Sequence, residues 1–137
     1  MANVGSPVVP PVVRAQIKRQ APQLAYAPTR MARGFHYTHW SKTPRTVQIA
    51  FGNKAGWQIT FIAVPTSGAC RAGMEKSYQL DGNKVYWSHT AAEQQAWRCV
   101  SRLDGRRVRL VASSPQPRTL FAAVGLGQVV ASAARIR

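Results

Sequence analysis

The sequence predicts an α+β domain: an antiparallel meander sheet of six or seven strands, built from three hairpins, with a short N-terminal helix and a C-terminal helix packed on one face. Three observations favour this fold class. Apolar residues recur at every second position in runs separated by turn residues, whereas near-helical apolar spacing occurs towards the two chain ends. The length of 137 residues is that of about one domain.

Residues 1–23 are predicted to form an extended arm and a short helix, and residues 24–137 a single domain. The arm is uncharged and rich in Val and Pro, which favours an extended chain end. Pro11 suits the first position of a helix, and the spacing of Val13 and Ile17 would place both on one side of it.

A first strand is expected near residues 35–40, and the most strongly alternating pair of strands follows it. The loop of this first hairpin is the five-residue stretch GNKAG. Its strands would share one apolar face, which comprises Val47, Ile49, Phe51, Trp57, Ile59, Phe61 and Ala63.

The second hairpin, KSYQLDGNKVYW, has two candidate registers. A loop of Gly82 and Asn83 would pair Leu80 with Val85 and keep the apolar side chains on one face. A loop of Asp81 and Gly82 would pair Leu80 with Asn83 and is expected to scatter the apolar set, which is costly in a sheet with one buried face. We therefore expect the first register.

The third hairpin is predicted to turn at Asp104 and Gly105, with Cys99 opposite Leu110 on an apolar face that also holds Trp97. The tail, residues 118–133, has near-helical apolar spacing. It is predicted to be a helix, although its two glycines each cost about 1 kcal/mol relative to Ala.

The charge balance is the strongest compositional signal. Lys and Arg number 19 against 4 Asp and Glu, which gives a formal net charge of +15. Most of these cations are Arg, whose guanidinium suits bidentate contact with phosphate, sulfate or carboxylate. High-GC coding would also produce a chain rich in Arg and Ala, and that alternative stays open.

Five arginines of the third hairpin form the candidate anion-binding site. The predicted register places Arg102 directly opposite Arg107, and like charges across strands destabilise a sheet. Stability alone would not favour such a pair, so a binding role is expected. The candidate residues are Arg98, Arg102, Arg106, Arg107 and Arg109.

The two cysteines, Cys70 and Cys99, leave several interpretations open. A structural disulfide is the first, and two inert core thiols are the second. A Cys nucleophile with a histidine base, or a redox or zinc site without CxxC spacing, is the third. We expect the disulfide.

Little in the chain points to catalysis, a metal or a cofactor. Nucleotide-binding, zinc-protease and serine-hydrolase motifs are absent. Two of the four acidic residues, Asp81 and Asp104, are already expected in turns. On a strand, His36 and His39 would point to opposite faces and could not share a metal. We expect no catalytic residues, no metal site and no cofactor.

The compartment is ambiguous from the residues. No apolar run reaches the roughly 18 to 20 residues that span a bilayer, so no transmembrane span is expected. The N-terminus lacks a basic n-region and is broken by prolines, which is untypical of a signal peptide and favours a cytoplasmic protein. Two cysteines in a small basic domain favour an extracytoplasmic one.

The order of elements carries a family resemblance. Tyr26-x-Pro28 and Gly34-Phe35 are followed by strand hairpins and a terminal helix. In this order the chain resembles small β-rich domains of unknown function in bacterial extracytoplasmic lipoproteins and envelope-stress regulators. The resemblance implies an exported or membrane-tethered binding domain, and it carries no functional residues over.

These observations together predict a non-enzymatic, extracytoplasmic binding domain whose cationic sheet face meets an anionic surface or partner. The expected partners are an anionic polymer of the bacterial envelope, lipid headgroups or an acidic protein. Nonspecific nucleic-acid binding is the alternative, because aromatic residues accompany the cations. A small hydrolase or redox protein that uses Cys and His is the second alternative, with a cytoplasmic location as the alternative compartment.

Overall fold

A computed structural model of the chain describes residues 8–66, 70, 76–89, 93–102, 104–115 and 123–137. The helices are α1 (Pro11–Gln20) and α2 (Ala123–Ala131), and a short 3-10 turn spans Pro22–Leu24. The strands are β1 (Tyr26–Ala27), β2 (His36–Thr43), β3 (Thr46–Gly52), β4 (Gln58–Thr66), β5 (Lys76–Leu80), β6 (Asn83–His89), β7 (Gln94–Ser101), β8 (Arg107–Ser114) and β9 (Ala134–Arg135).

Seven strands form one antiparallel sheet in the order β2-β3-β4-β8-β7-β6-β5, and β1 pairs with β9 in a separate two-stranded sheet. The predicted α+β class and its seven-stranded antiparallel sheet are confirmed. The sheet is two meanders rather than one, because β8 returns to pair with β4 over Thr60–Thr66. Pairing between strands so distant in sequence is a long-range tertiary contact, and local hairpin patterns do not predict it.

Helix α1 begins at the predicted residue, Pro11, and has the predicted buried side. Pro11 occupies its first turn, Val13 and Ile17 are buried, and the helix ends before Pro22. The basic residues of its last turn, Lys18 and Arg19, interact favourably with the negative end of the helix dipole. Most of the predicted N-terminal arm lies outside the described residues.

The first hairpin has the predicted apolar face, but its register differs by two residues from the one that a GNKAG loop implies, because Gly52 still belongs to β3 and pairs with Gln58. Val47 pairs with Ala63, Ile49 with Phe61, and all four side chains are fully buried. The Asn53 carboxamide shapes the loop, since its Oδ1 accepts hydrogen bonds from two backbone N–H groups, those of Ala55 and Trp57.

The second hairpin corrects the predicted register. Asp81 and Gly82 form the loop with φ angles of 51° and 78°, as a type I′ turn requires at both central residues. Leu80 pairs with Asn83, and Tyr78 pairs with Val85. This register differs from the predicted one by two residues, and because the side-chain period is two it keeps the apolar set on one face. The turn geometry therefore decided the register.

The third hairpin corrects the prediction by one residue. Cys99 pairs with Arg109 instead of Leu110, because Arg102 N–H donates to the carbonyl of Arg106 and three residues separate the two. Gly105 supplies the positive φ, 81°, that closes such a three-residue loop. A shift of one residue exchanges the two faces of a strand, so the predicted arginine face is divided between them.

One core lies between the sheet and both helices, as predicted. Buried side chains of α1 and α2 join the inward residues of β3, β4, β6, β7 and β8 in a single cluster. A second, smaller cluster on the opposite sheet face contains Trp97, Val111 and the disulfide between Cys70 and Cys99. Trp97 was predicted in the main core, and the register shift moves it to the opposite face.

The predicted C-terminal helix is confirmed over Ala123–Ala131, and residues 116–122 lie outside the described parts of the chain. Its C-terminal end is tied to the sheet by Asn83, whose amide donates to the Ala131 carbonyl at 3.2 Å. None of the helices in the described residues is long and apolar enough to span a membrane.

Candidate functional site

The turns at one end of the sheet bring distant parts of the chain together. Thr43 pairs with Thr46 at the β2–β3 turn, and Thr66 at the end of β4 pairs with Arg107 at the start of β8. The β2–β3 turn, the end of β4 and the β7–β8 loop therefore lie at the same end, which we call the loop end.

The disulfide is the first site feature that the structure confirms. Cys70 and Cys99 are bonded, with their Cα atoms 5.9 Å apart. Neither sulfur is a free thiol. The free-thiol interpretations, a Cys nucleophile and two inert core thiols, are therefore wrong.

Arg98 holds the fold together instead of lining an open surface. It lies on the helix-facing side of β7, where its Nε donates to the Val130 carbonyl at 3.0 Å and its Nη2 donates to the Ala133 carbonyl. Burial lowers the pKa of its guanidinium, and the nearby Tyr26 opposes this effect. Arg98 thus binds carbonyl groups at the C-terminal end of α2, where a cation is favourable.

Arg109 belongs to the disulfide cluster on the open sheet face. Its guanidinium lies over the Trp97 ring, 6.0 Å from the centroid, and donates to the Cys70 carbonyl at 3.4 Å. Trp97 Nε1 donates to the same carbonyl at 2.9 Å. Cys70 is therefore held on the sheet by the disulfide and by two side-chain donors.

The remaining three candidate arginines converge with a fourth at the loop end. Arg102, Arg106 and Arg107 share an open groove of about 600 Å³ with Arg45 of the β2–β3 turn. We call this the basic groove. Apolar and small polar residues complete its lining, namely Gln23, Leu24, Pro44, Pro65, Thr66 and Gly105.

One carboxylate moderates the charge of the basic groove. Asp104 Oδ1 accepts the Arg106 backbone N–H at 3.0 Å, and its other oxygen pairs with Arg102. The hydrogen bond from Arg106, followed by the charge of Arg102, lowers the pKa of Asp104. Within the described residues no ion-pair partner reaches Arg45, Arg106 or Arg107. All three residues are exposed.

Sequence reasoning did not include Arg45, and the structure places Arg98 and Arg109 outside the basic groove. The Pro44-Arg45 turn signal was visible, but its proximity to the third hairpin follows from the pairing of β4 with β8. The shared face predicted for Arg98 and Arg109 depended on the register that the three-residue loop changes.

His36 and His39 form no cluster with other metal ligands in the part of the chain that the structure describes. His36 and His39 are exposed on the edge strand β2, and His39 Nδ1 contacts the Thr38 hydroxyl at 3.2 Å. Among the residues that the structure describes, no group of three His, Cys, Asp or Glu side chains could hold a metal ion.

Comparison with known proteins identifies a weak structural neighbour. No family model and no curated protein match this sequence. The neighbour is MucB. In the crystal structure of MucB in complex with MucA(peri), the match has a TM-score of 0.49 and 15% sequence identity, and it covers 84% of this chain but 38% of that chain.

Proposed function

We propose that this protein is a non-enzymatic binding domain that captures anionic groups of a partner in the basic groove. The observation that carries the proposal is the convergence of Arg45, Arg106 and Arg107 from two separate turns, with no carboxylate paired to them in the described residues. Like charges gathered in this way destabilise a fold, and a bound anion removes that cost.

The disulfide supports an extracytoplasmic location. Disulfides persist in secreted, periplasmic and surface proteins, whereas cytosolic thiols are kept reduced. The bond between Cys70 and Cys99 also organises the residues around Trp97 and Arg109, which fits a structural role. The anionic partner would accordingly be a component of the envelope or of the exterior.

The aromatic pair on the open sheet face gives little support to nucleic-acid binding. Tyr86 and Trp97 are stacked, with centroids 6.1 Å apart, and Lys84 lies over the Tyr86 ring. Trp97 is only 6% exposed, however, and its Nε1 donates to the Cys70 carbonyl. Base stacking needs an accessible ring face. Nucleic-acid binding is therefore not proposed, and an oligonucleotide is used as a competing probe in the tests below.

A sulfated-polymer column tests the proposal. We expect Arg106→Gln with Arg107→Gln to elute at clearly lower salt than the parent, because two groove cations are lost. The matched control removes two cations from the opposite end of the sheet, Arg33→Gln with Lys54→Gln, and is expected to change elution little. Equal shifts for the two double variants would mean that only net charge matters and would refute the groove.

A further inference from the structure

A second basic groove lies beside the first. Its volume is about 680 Å³, and its cations are Lys18 of α1 together with Arg135 and Arg137 near the C-terminal end of the described chain. Tyr26, Val100, Ser101 and Ile136 complete its lining. The side chains of Lys18, Arg135 and Arg137 are exposed.

The two grooves adjoin along two stretches of chain. Ser101 lines the second groove, and the next residue, Arg102, lines the basic groove. Leu24 lines the basic groove, and Tyr26, two residues on, lines the second. Neighbouring Cα atoms are about 3.8 Å apart, so one extended ligand can reach both.

The chemistry of the paired grooves distinguishes among anionic ligands. Apolar surface from Pro44 and Pro65 lies among the cations of the basic groove, and the half-buried Val100 contributes apolar surface to the second groove. A ligand with only charged groups would leave this surface uncovered, whereas an acidic peptide with apolar side chains would cover it. Six of the seven groove cations are Arg, which matches carboxylates bidentately.

Nucleic acid and lipid surfaces fit the grooves less well. The one aromatic residue that lines either groove, Tyr26, is only 6% exposed and offers no stacking platform. A lipid surface favours a flat or convex basic patch with apolar side chains that insert. In the described residues the one large, exposed hydrophobic side chain is Val12, at the start of α1 and outside both groove linings.

We propose that an extended acidic peptide, with apolar side chains between its carboxylates, lies across both grooves. This inference rests on the proposed function of the basic groove and adds the second groove and the class of partner. Twelve extended residues reach about 40 Å, which suffices for both grooves, whereas five residues reach about 17 Å.

The test measures fluorescence anisotropy with a labelled twelve-residue peptide in which Asp and Glu are interspersed with Leu and Val. The protein variants are the basic-groove pair (R106Q, R107Q), the second-groove pair (R135Q, R137Q) and the distal control pair (R33Q, K54Q). We expect each groove pair to weaken binding by roughly fivefold to tenfold and the control pair to have little effect. A five-residue peptide of the same composition should bind with much lower affinity than the twelve-residue peptide.

Competing probes separate the outcomes. A twelve-residue peptide of glutamates alone should bind more weakly than the mixed peptide, and so should a single-stranded deoxythymidine oligonucleotide and vesicles of anionic lipid at equal salt. If the basic-groove pair weakens binding and the second-groove pair does not, the proposed function stands and the two-groove inference is overturned. Tighter binding of the oligonucleotide or vesicles overturns the peptide class, and no effect of either groove pair overturns both proposals.

Discussion

Gly127 of α2 lies against Tyr78 of the edge strand β5 so closely that a Cβ atom at position 127 would collide with the tyrosine hydroxyl group. The Leu80 side chain, two residues further along β5, lies against the same spot. A glycine that weakens the isolated helix is therefore what lets α2 approach the edge of the sheet.

The two helix glycines offer a matched pair of substitutions. A Cβ atom at Gly125 meets nothing within 4 Å in the described residues. We expect Gly125→Ala to stabilise the fold by up to about 1 kcal/mol, because Ala is the better helix former. Gly127→Ala should instead destabilise it, because Tyr78 and Leu80 must move. Chemical denaturation at neutral pH measures both changes.

A double-mutant cycle tests whether contact with Tyr78 causes the loss of stability in Gly127→Ala. Tyr78→Phe removes the oxygen atom nearest to position 127, so the cost of Gly127→Ala should fall when both changes are combined. Strictly additive free energies of unfolding would show that the close approach to Tyr78 does not explain the glycine.

Arg98 should contribute to the free energy of unfolding, whereas Arg107 should contribute little. Removing its two hydrogen bonds to α2 carbonyls by Arg98→Met is expected to cost about 2 kcal/mol, since bonds that involve a charged donor are stronger than neutral ones. Arg98→Lys should restore only part of this, because an ammonium group cannot present the same fork of donors. Urea denaturation gives both values.

The exposed Arg107 provides the control for Arg98. Arg107→Gln should change the free energy of unfolding by less than about 0.5 kcal/mol. Losses of similar size at positions 98 and 107 would contradict the division of the arginines into a structural group and a binding group.

Loss of the disulfide should lower stability substantially. Replacing Cys70 and Cys99 with Ser opens a loop with a sequence separation of 29, and the chain-entropy model assigns about 3.6 kcal/mol to such a loop. The Cys70 carbonyl should also leave Trp97, so tryptophan emission should shift to the red. Thermal unfolding and fluorescence test this, and an unchanged midpoint would mean that the cross-link constrains little.

Asp104 should contribute to the loss of folding stability at acid pH. Its pKa is lowered in the folded state, first by the Arg106 N–H. Its stabilising contribution is therefore present above the unfolded value near pH 4 and is lost as the pH falls through the lower folded value. Asp104→Asn should flatten the decline of unfolding free energy below about pH 4, and an unaltered decline would contradict this role.

The same substitution should also change anion binding. Asp104→Asn keeps an oxygen for the Arg106 N–H and removes the negative charge beside Arg102. Because Arg102 would then lack its carboxylate partner, affinity for the acidic peptide should rise about threefold at low salt. The gain should become smaller as the salt concentration increases. Weaker binding with a normal fold would indicate that the carboxylate itself takes part in recognition.

The sequence alone determined the features that depend on neighbouring residues. Helix α1, the apolar face of the first hairpin and the positions of most strands follow from apolar periodicity and from proline and glycine signals, because these act over one or two turns of backbone. The pairing of Cys70 with Cys99 was likewise predicted from the sequence and is confirmed.

Only the tertiary structure decided the registers of the three hairpins and the cluster of arginines at the loop end. In the second and third hairpins the backbone conformation of the loop decided the register, and a single extra loop residue in the third moved Arg98 to the helix-facing side of the sheet while Arg109 stayed on the other side. The pairing of β4 with β8 then brought Arg45 to Arg107, across more than 60 residues of chain. The physical reason is that such long-range pairing is selected by the burial of the whole core, which no local stretch of sequence contains.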